Sequence, residues 1–260
     1  MTSATPDNRP GNPFLAAGVG ALYAHGRPYH HPRSLARVRA FTGDDPVGYG
    51  LDVACGTGMS TIALAAFAAH VVGLDVSPEM MRVAPPEANV GYMLGRAEQL
   101  PFAAATLDAV TCSSGVHWFD QERFYAELHR VVRPGGWVGL YDHYFMKMRD
   151  VSGFGAWTKE LFARYPLPPR NPQVGDPRSA TPSGFALLGS EMFEDPIPMT
   201  IDEFADYQLT VSHCVAAAER GTPRAEVRAW LLESTARLFG GEPTRVVEFL
   251  GSVTVLGRVP

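Results

Sequence analysis

Three short segments carry the side chains with chemical reach. Residues 51–58, LDVACGTG, bring one acid, Asp52, to a turn that holds Gly56 and Gly58. Asp75 follows in VVGLDVSPEMM, and CSSGVHWFD sets Ser113, His117 and Trp118 close together. A glycine turn lets backbone approach a ligand, which can be a phosphate or a bulkier uncharged or zwitterionic group. The phosphate readings are weak here. A dinucleotide fingerprint needs a third glycine, and Thr61 stands in its place. A phosphate-cradling P-loop needs Lys and then Ser or Thr after its last glycine, whereas Gly58 is followed by Met59. Asp75 can accept two hydrogen bonds from a ribose diol. His117 and His143 are candidate general bases, because histidine titrates near neutral pH. In HGRPYHHP, the residues Arg27, Tyr29, His30 and His31 could clamp an anionic acceptor, and Arg27 is the preferred candidate. No metal site is expected. Cys55, Cys112 and Cys214 lie far apart, and the adjacent His30 and His31 point in different directions.

The elements that must position these residues alternate regularly. Strands are expected at 47–53, 71–75, 90–94, 107–112 and 137–141, with a helix over 59–69 after the glycine turn. Ser77 should cap a helix that opens on Pro78, and Asp120 one that runs to Val132, where RPGG stops it. Continuous apolar strands between helices predict a mostly parallel sheet covered on both faces. Its ligand crevice lies beyond the carboxyl ends of the strands. Helices over 14–23 and 32–41 precede the first strand, and Pro and Gly are frequent in 143–182. Strands at 192–200 and 251–258 would form an antiparallel hairpin around a helical insertion, which includes a helix over 223–239 capped by Thr222. Four regions follow: a disordered tail (1–12), a helical cover (13–45), a cofactor-binding core (46–145), and a substrate-side lid insertion with the last strands of the same domain (146–260).

The 260-residue chain is 46% hydrophobic and 19% charged, with net charge −5. That balance argues against nucleic acid as a partner. No run is long enough to span a membrane, and neither a signal peptide nor a disulfide framework is evident. A cytoplasmic monomer or homodimer is expected.

LDVACGTG resembles motif I of the class I S-adenosylmethionine-dependent methyltransferases (methyltransferase type 11 domain). Asp52 matches their acidic position, Gly56 and Gly58 their last two glycines, and Ala54 stands where the first glycine is common. The resemblance implies a Rossmann-like α/β fold, a seven-stranded sheet with an antiparallel last strand, and S-adenosylmethionine as cofactor. It implies that Asp75 holds the ribose, that Val76 and Met80 line the adenine, and that Ala97, through its backbone amide, and Glu98 of GRAEQLPF read it. Asp52 would organise the turn and the cofactor's ammonium. HWFD, RVVRPGGWVGLYDHY, GRPYHHP and YQLTVSH are similar to segments of the narrower trans-aconitate methyltransferase-like group. That likeness implies O-methylation of a carboxylate or hydroxyl of a small metabolite. Two other readings remain open: an NAD-dependent oxidoreductase, which would share Asp75, and a cofactor-binding protein of this fold with another activity.

Overall fold

A computed structural model describes residues 13–167 and 181–260. The expected tail and the 168–180 part of the Pro/Gly-rich stretch lie outside the described residues. The sheet begins at β1 (Val47–Val53), whose last four residues are buried. β1 pairs in parallel with β2 (Ala68–Asp75) and β4 (Leu107–Ser113). Outside β2 lies β3 (Val90–Leu94), and beyond β4 lies β5 (Val132–Met148). β7 (Arg245–Arg258) is antiparallel to both β5 and β6 (Phe185–Met199). The order is β3-β2-β1-β4-β5-β7-β6, so six strands run one way and the last in sequence runs against them. This is the expected Rossmann-like sheet.

Alternation along each strand feeds two cores. Val110, Val138 and Leu140 face α5 (Gln121–Val131) and pack with its Phe124 and Leu128. Their neighbours Ala109, Trp137 and Tyr141 face the other way. They meet Leu35 and Val38 of α2 (His31–Thr42) and Leu64 of α3 (Met59–Ala65). A third core lies against the carboxyl-terminal part of β5. There α6 (Phe154–Arg164), α7 (Ile201–Leu209) and α9 (Arg224–Phe239) enclose Trp157, Phe204, Leu231 and Phe249.

Several boundaries differ from expectation. α3 stops at Ala65, not 69, because Ala68 already pairs with Val47 of β1. RPGG does not separate helix from strand. α5 ends at Val131, and the pairing jumps from Leu107↔Val132 to Ala109↔Trp137, so 133–136 form an irregularity inside β5. Gly135, at φ 78, supplies the left-handed backbone there. Thr222 is not a cap, since Pro223 occupies that position of α9. β5, β6 and β7 are each far longer than expected, and they carry the sheet beyond the crevice to the third core.

The first α-helix is α1 (Val19–Gly26), preceded by a 3-10 turn, Pro13–Leu15. α1 lies between α4 (Pro78–Met81) and α7 at backbone distance. A Cβ on Gly20 would collide with the Glu79 carbonyl, and one on Gly26 with the Asp206 carbonyl. The remaining helix is α8 (Ser212–Glu219).

Candidate active site

The glycine turn is fixed from beneath by Asp52, which is fully buried. Its Oδ2 accepts from Ser60 Oγ (2.5 Å) and Thr61 Oγ1 (2.8 Å), and its Oδ1 from Thr111 Oγ1 (2.8 Å). One carboxylate therefore ties β1 to α3 and β4. Burial pushes its pKa up to about 6, against the pull of the three hydroxyls. Ala54 sits at φ 56 and Gly56 at φ 54, both left-handed. The turn is tied to β2 by Asp75, whose Oδ2 accepts from Gly56 N and Oδ1 from Ser77 N, both at 2.8 Å. Burial raises the Asp75 carboxyl, and these backbone donors oppose the shift. Ser77 caps α4 as expected, with its side chain accepting from Met80 N.

A cavity of about 850 Å³ opens beyond the strand ends. Its first end is lined by Ala54, Gly56, Asp75, Val76, Met80, Ser113, His117 and Trp118, all named from sequence. Four others named with them do not line it. Asp52 lies under the turn. Gly58 (φ 81) starts α3, where a Cβ would press on the Tyr92 hydroxyl. Ala97 is packed in the core under the sheet. Glu98 accepts from Asp120 N (3.0 Å), which fastens the loop after β3 to the start of α5. Sequence reasoning missed Phe14. Its ring stands edge-on to Trp118 (6.0 Å), and its carbonyl accepts from Ser77 Oγ (2.7 Å), so the segment before α1 closes this end.

The second end gathers Arg27, Tyr29, His31 and His143. The Arg27 guanidinium lies over the rings of Tyr23 (4.7 Å) and Tyr207 (5.1 Å), and Nη2 donates to Thr210 O (3.3 Å). His31 Nδ1 meets Tyr141 Oη (3.1 Å). His30 is set back from the cavity wall. Its ring stacks on His143 at 4.0 Å, and His143 stacks in turn on Phe249 at 4.6 Å. His143 Nε2 meets Asp195 Oδ2 (3.0 Å), and Asp195 is ion-paired with Arg33. Burial, then the charges of Arg27 and Arg33, lower His143 to about 4. Burial, then repulsion between the protonated forms of the clustered histidines and the charge of Arg27, lower His31 to about 3, and His30 moves the same way. All three rings are neutral at pH 7. Asp195 was not read from sequence, although a signal existed. It shares one face of β6 with Phe193, Ile197 and Met199, so an acid interrupts an inward-facing apolar alternation. Among the described residues no group of three or more His, Cys, Asp or Glu could hold a metal ion.

With the geometry in place, residues 51–140 match the methyltransferase domain family. The sheet order is that of the Rossmann-like fold, and this stretch of the chain is similar to the methyltransferase domain. The chain is 29% identical over 238 residues to an uncharacterized methyltransferase of Mycobacterium tuberculosis, covering 88% of this chain and 86% of that protein. A solved structure from Anaeromyxobacter dehalogenans, described as a candidate type II methyltransferase, is 27% identical. It aligns with a TM-score of 0.66 over 86% of this chain and 96% of its own. A malonyl-[acyl-carrier protein] O-methyltransferase of Dechloromonas aromatica is 42% identical, but over only 35% of this chain and 34% of that protein. Among the described residues no helix is long and apolar enough to cross a membrane.

Proposed function

We propose that the cavity is the active site of an S-adenosylmethionine-dependent methyltransferase that methylates an oxygen, carboxylate or hydroxyl, of a small-molecule acceptor. One observation carries this reading. Asp75, braced to the Gly56 turn, lines a single cavity that continues to Arg27 and His143. The residues at the first end fit the cofactor. Each Asp75 oxygen accepts one backbone N–H, and a carboxylate has further lone pairs for ribose hydroxyls. Gly56 leaves open a space where a Cβ would come within 3.2 Å of Met80 Cε.

When bound, S-adenosylmethionine supplies a methyl group on a positively charged sulfur. Asp75 holds the ribose, Val76 and Met80 flank the base, and Ala54 and Gly56 leave room for the methionine part. Asp52 keeps the turn in shape and makes no contact with the cavity. Glu98 and Ala97 act one layer back, by fixing the loop. His117 and Trp118 face the same space from the loop after β4. Arg27 and His143 meet the acceptor, and Phe14 with α1 keeps water out. The O-methyltransferase of Dechloromonas aromatica supports oxygen as the accepting atom.

Calorimetric titration with S-adenosylhomocysteine tests the reading. Wild-type protein should bind, and Asp75→Ala should bind about 10–100-fold more weakly, as expected for lost hydrogen bonds to a charged group. A folded wild-type protein that binds none would overturn it.

A further inference from the structure

We infer that the methyl acceptor is a hydroxyl compound with a flat, apolar body, and that His143, positioned by Asp195, takes its proton; this rests on the methyl-transfer reading above. The acceptor end of the cavity is walled by Tyr23, Phe145, Phe154, Trp157, Phe162 and Tyr207. Such rings bury flat apolar bodies and fix their orientation. Arg27 is the one Arg or Lys among the described lining residues. Its guanidinium stacks on two rings and gives one hydrogen bond to the Thr210 carbonyl, with its buried Nε left without a hydrogen-bond partner among the described residues, so it offers a single positive charge. A di- or tricarboxylate would have to give up its hydration here with too little positive charge in return. Of the two acceptors that the trans-aconitate methyltransferase-like resemblance implies, carboxylate or hydroxyl, this favours the hydroxyl. One polar handle in this wall is Gln208, 1% exposed, whose Nε2 has no hydrogen-bond partner among the described residues. An acceptor oxygen at that wall would supply one.

His143 has the geometry of an oriented base. Asp195 carries Arg33 as its counter-charge, so it faces the ring as a carboxylate, which only accepts. Nε2 therefore bears the hydrogen, and Nδ1 keeps the lone pair on a residue that lines the cavity. His30 on one face and Phe249 on the other hold the ring plane, at interplanar angles of 7° and 10°. The charged and titratable groups around it are Arg27, Arg33, Asp195, His30 and His31; burial and the charges of Arg27 and Arg33 keep it neutral, and the Asp195 carboxylate pulls the other way. His143 also stands in the right place along the strand. Ser113, at the end of β4, pairs with Tyr141, and His143 is two residues further, about 7 Å along β5. In the step, the acceptor's hydroxyl proton passes to His143 Nδ1. The oxygen's electron pair forms the new O–C bond as the C–S bond breaks, and the C–S pair stays on sulfur. A base held by a carboxylate follows the orienting logic of other base–acid pairs.

Two measurements test this. The first is calorimetry on protein saturated with S-adenosylhomocysteine, titrated with 2-naphthol and separately with trans-aconitate. Naphthol should bind at least about tenfold more tightly. The inference is overturned if trans-aconitate binds as well or better, or if neither binds to the loaded protein. Failure of S-adenosylhomocysteine itself to bind would instead remove the methyl-transfer reading. The second is the pH profile of naphthol methylation. Wild-type rates should be nearly flat over about pH 6–8, where His143 is already unprotonated. In His143→Gln the rate should fall about 100-fold or more at neutral pH and then climb about tenfold per pH unit, as the solvent must ionise the acceptor. Asp195→Asn should move the profile in the same direction, and Asp195→Glu should restore it in part. Profiles of wild-type shape in His143→Gln and Asp195→Asn would assign both residues a structural role only and contradict the proposal, as would naphthol that binds but is not methylated.

Discussion

Near the glycine turn, the cavity is built from backbone and from side chains a few residues apart: Ala54, Gly56, Asp75, Val76 and Met80. Their positions follow from two adjacent parallel strands and the turns that leave them. At the other end, Arg27, His143, Trp157 and Gln208, with Asp195 behind His143, arrive from regions spread along most of the chain. They meet because β5, β6 and β7 overrun the sheet and because α6 and α7 pack on that extension. The contrast separates two tasks. The first end can keep one ligand with little change, while the second can be rebuilt by altering strand length and helix faces.

The largest expected effect falls on the second end alone. Trp157 is fully buried, with Nε1 donating to Ser234 Oγ (3.0 Å). Trp157→Ala should lower unfolding stability by about 3–5 kcal/mol, measured by denaturant titration. At a temperature where the variant remains folded, its affinity for S-adenosylhomocysteine should stay within about twofold of wild type. A tenfold change would show that the two ends are not independent. Asp75→Ala is the reciprocal case, with the weakening given above and little effect on binding of 2-naphthol alone.

Acid sensitivity belongs to the second end as well. His30, His31 and His143 are neutral in the fold, with pKa values lowered from the ordinary histidine range. The unfolded chain therefore binds more protons below about pH 6.5, and stability is lost as pH falls from there through about 4 for His143 and about 3 for His31. Each ring contributes up to about 1.4 kcal/mol per pH unit to that slope. Asp52 acts in the opposite sense. Its raised pKa makes stability fall as pH rises from about 4 to 6, which offsets part of one histidine's slope. Chemical unfolding at a series of pH values should show net acid loss, and His143→Gln should make the slope shallower. A slope unchanged by that substitution would separate the cluster from the acid response. The smallest effect is at the turn. Ala54 holds a left-handed backbone, and Ala54→Gly should raise stability by up to about 1 kcal/mol in thermal unfolding.

This division also governs what could be read in the sequence. β3 and the Ser77 and Asp120 caps have the expected positions, because propensity, patterning and capping are local. Asp75 and the glycine turn were legible for the same reason. RPGG misled, because its turn residues serve an irregularity within a strand, and only pairing with β4 reveals that. Glu98 kept its place in the motif, yet its side chain is spent on the start of α5, and the Ala97 side chain is packed in the core, which leaves only its backbone for a ligand. Asp195 and Gln208 could not be joined to His143 and Arg27 by any spacing, since the long hairpin and α7 alone bring them together.

A crystal structure of the protein with S-adenosylhomocysteine is the most direct test of the account. The prediction is a ribose with its hydroxyls on the Asp75 carboxylate and a sulfur that opens toward the His143 end of the cavity. A nucleoside bound elsewhere, or a ribose out of reach of Asp75, would contradict it.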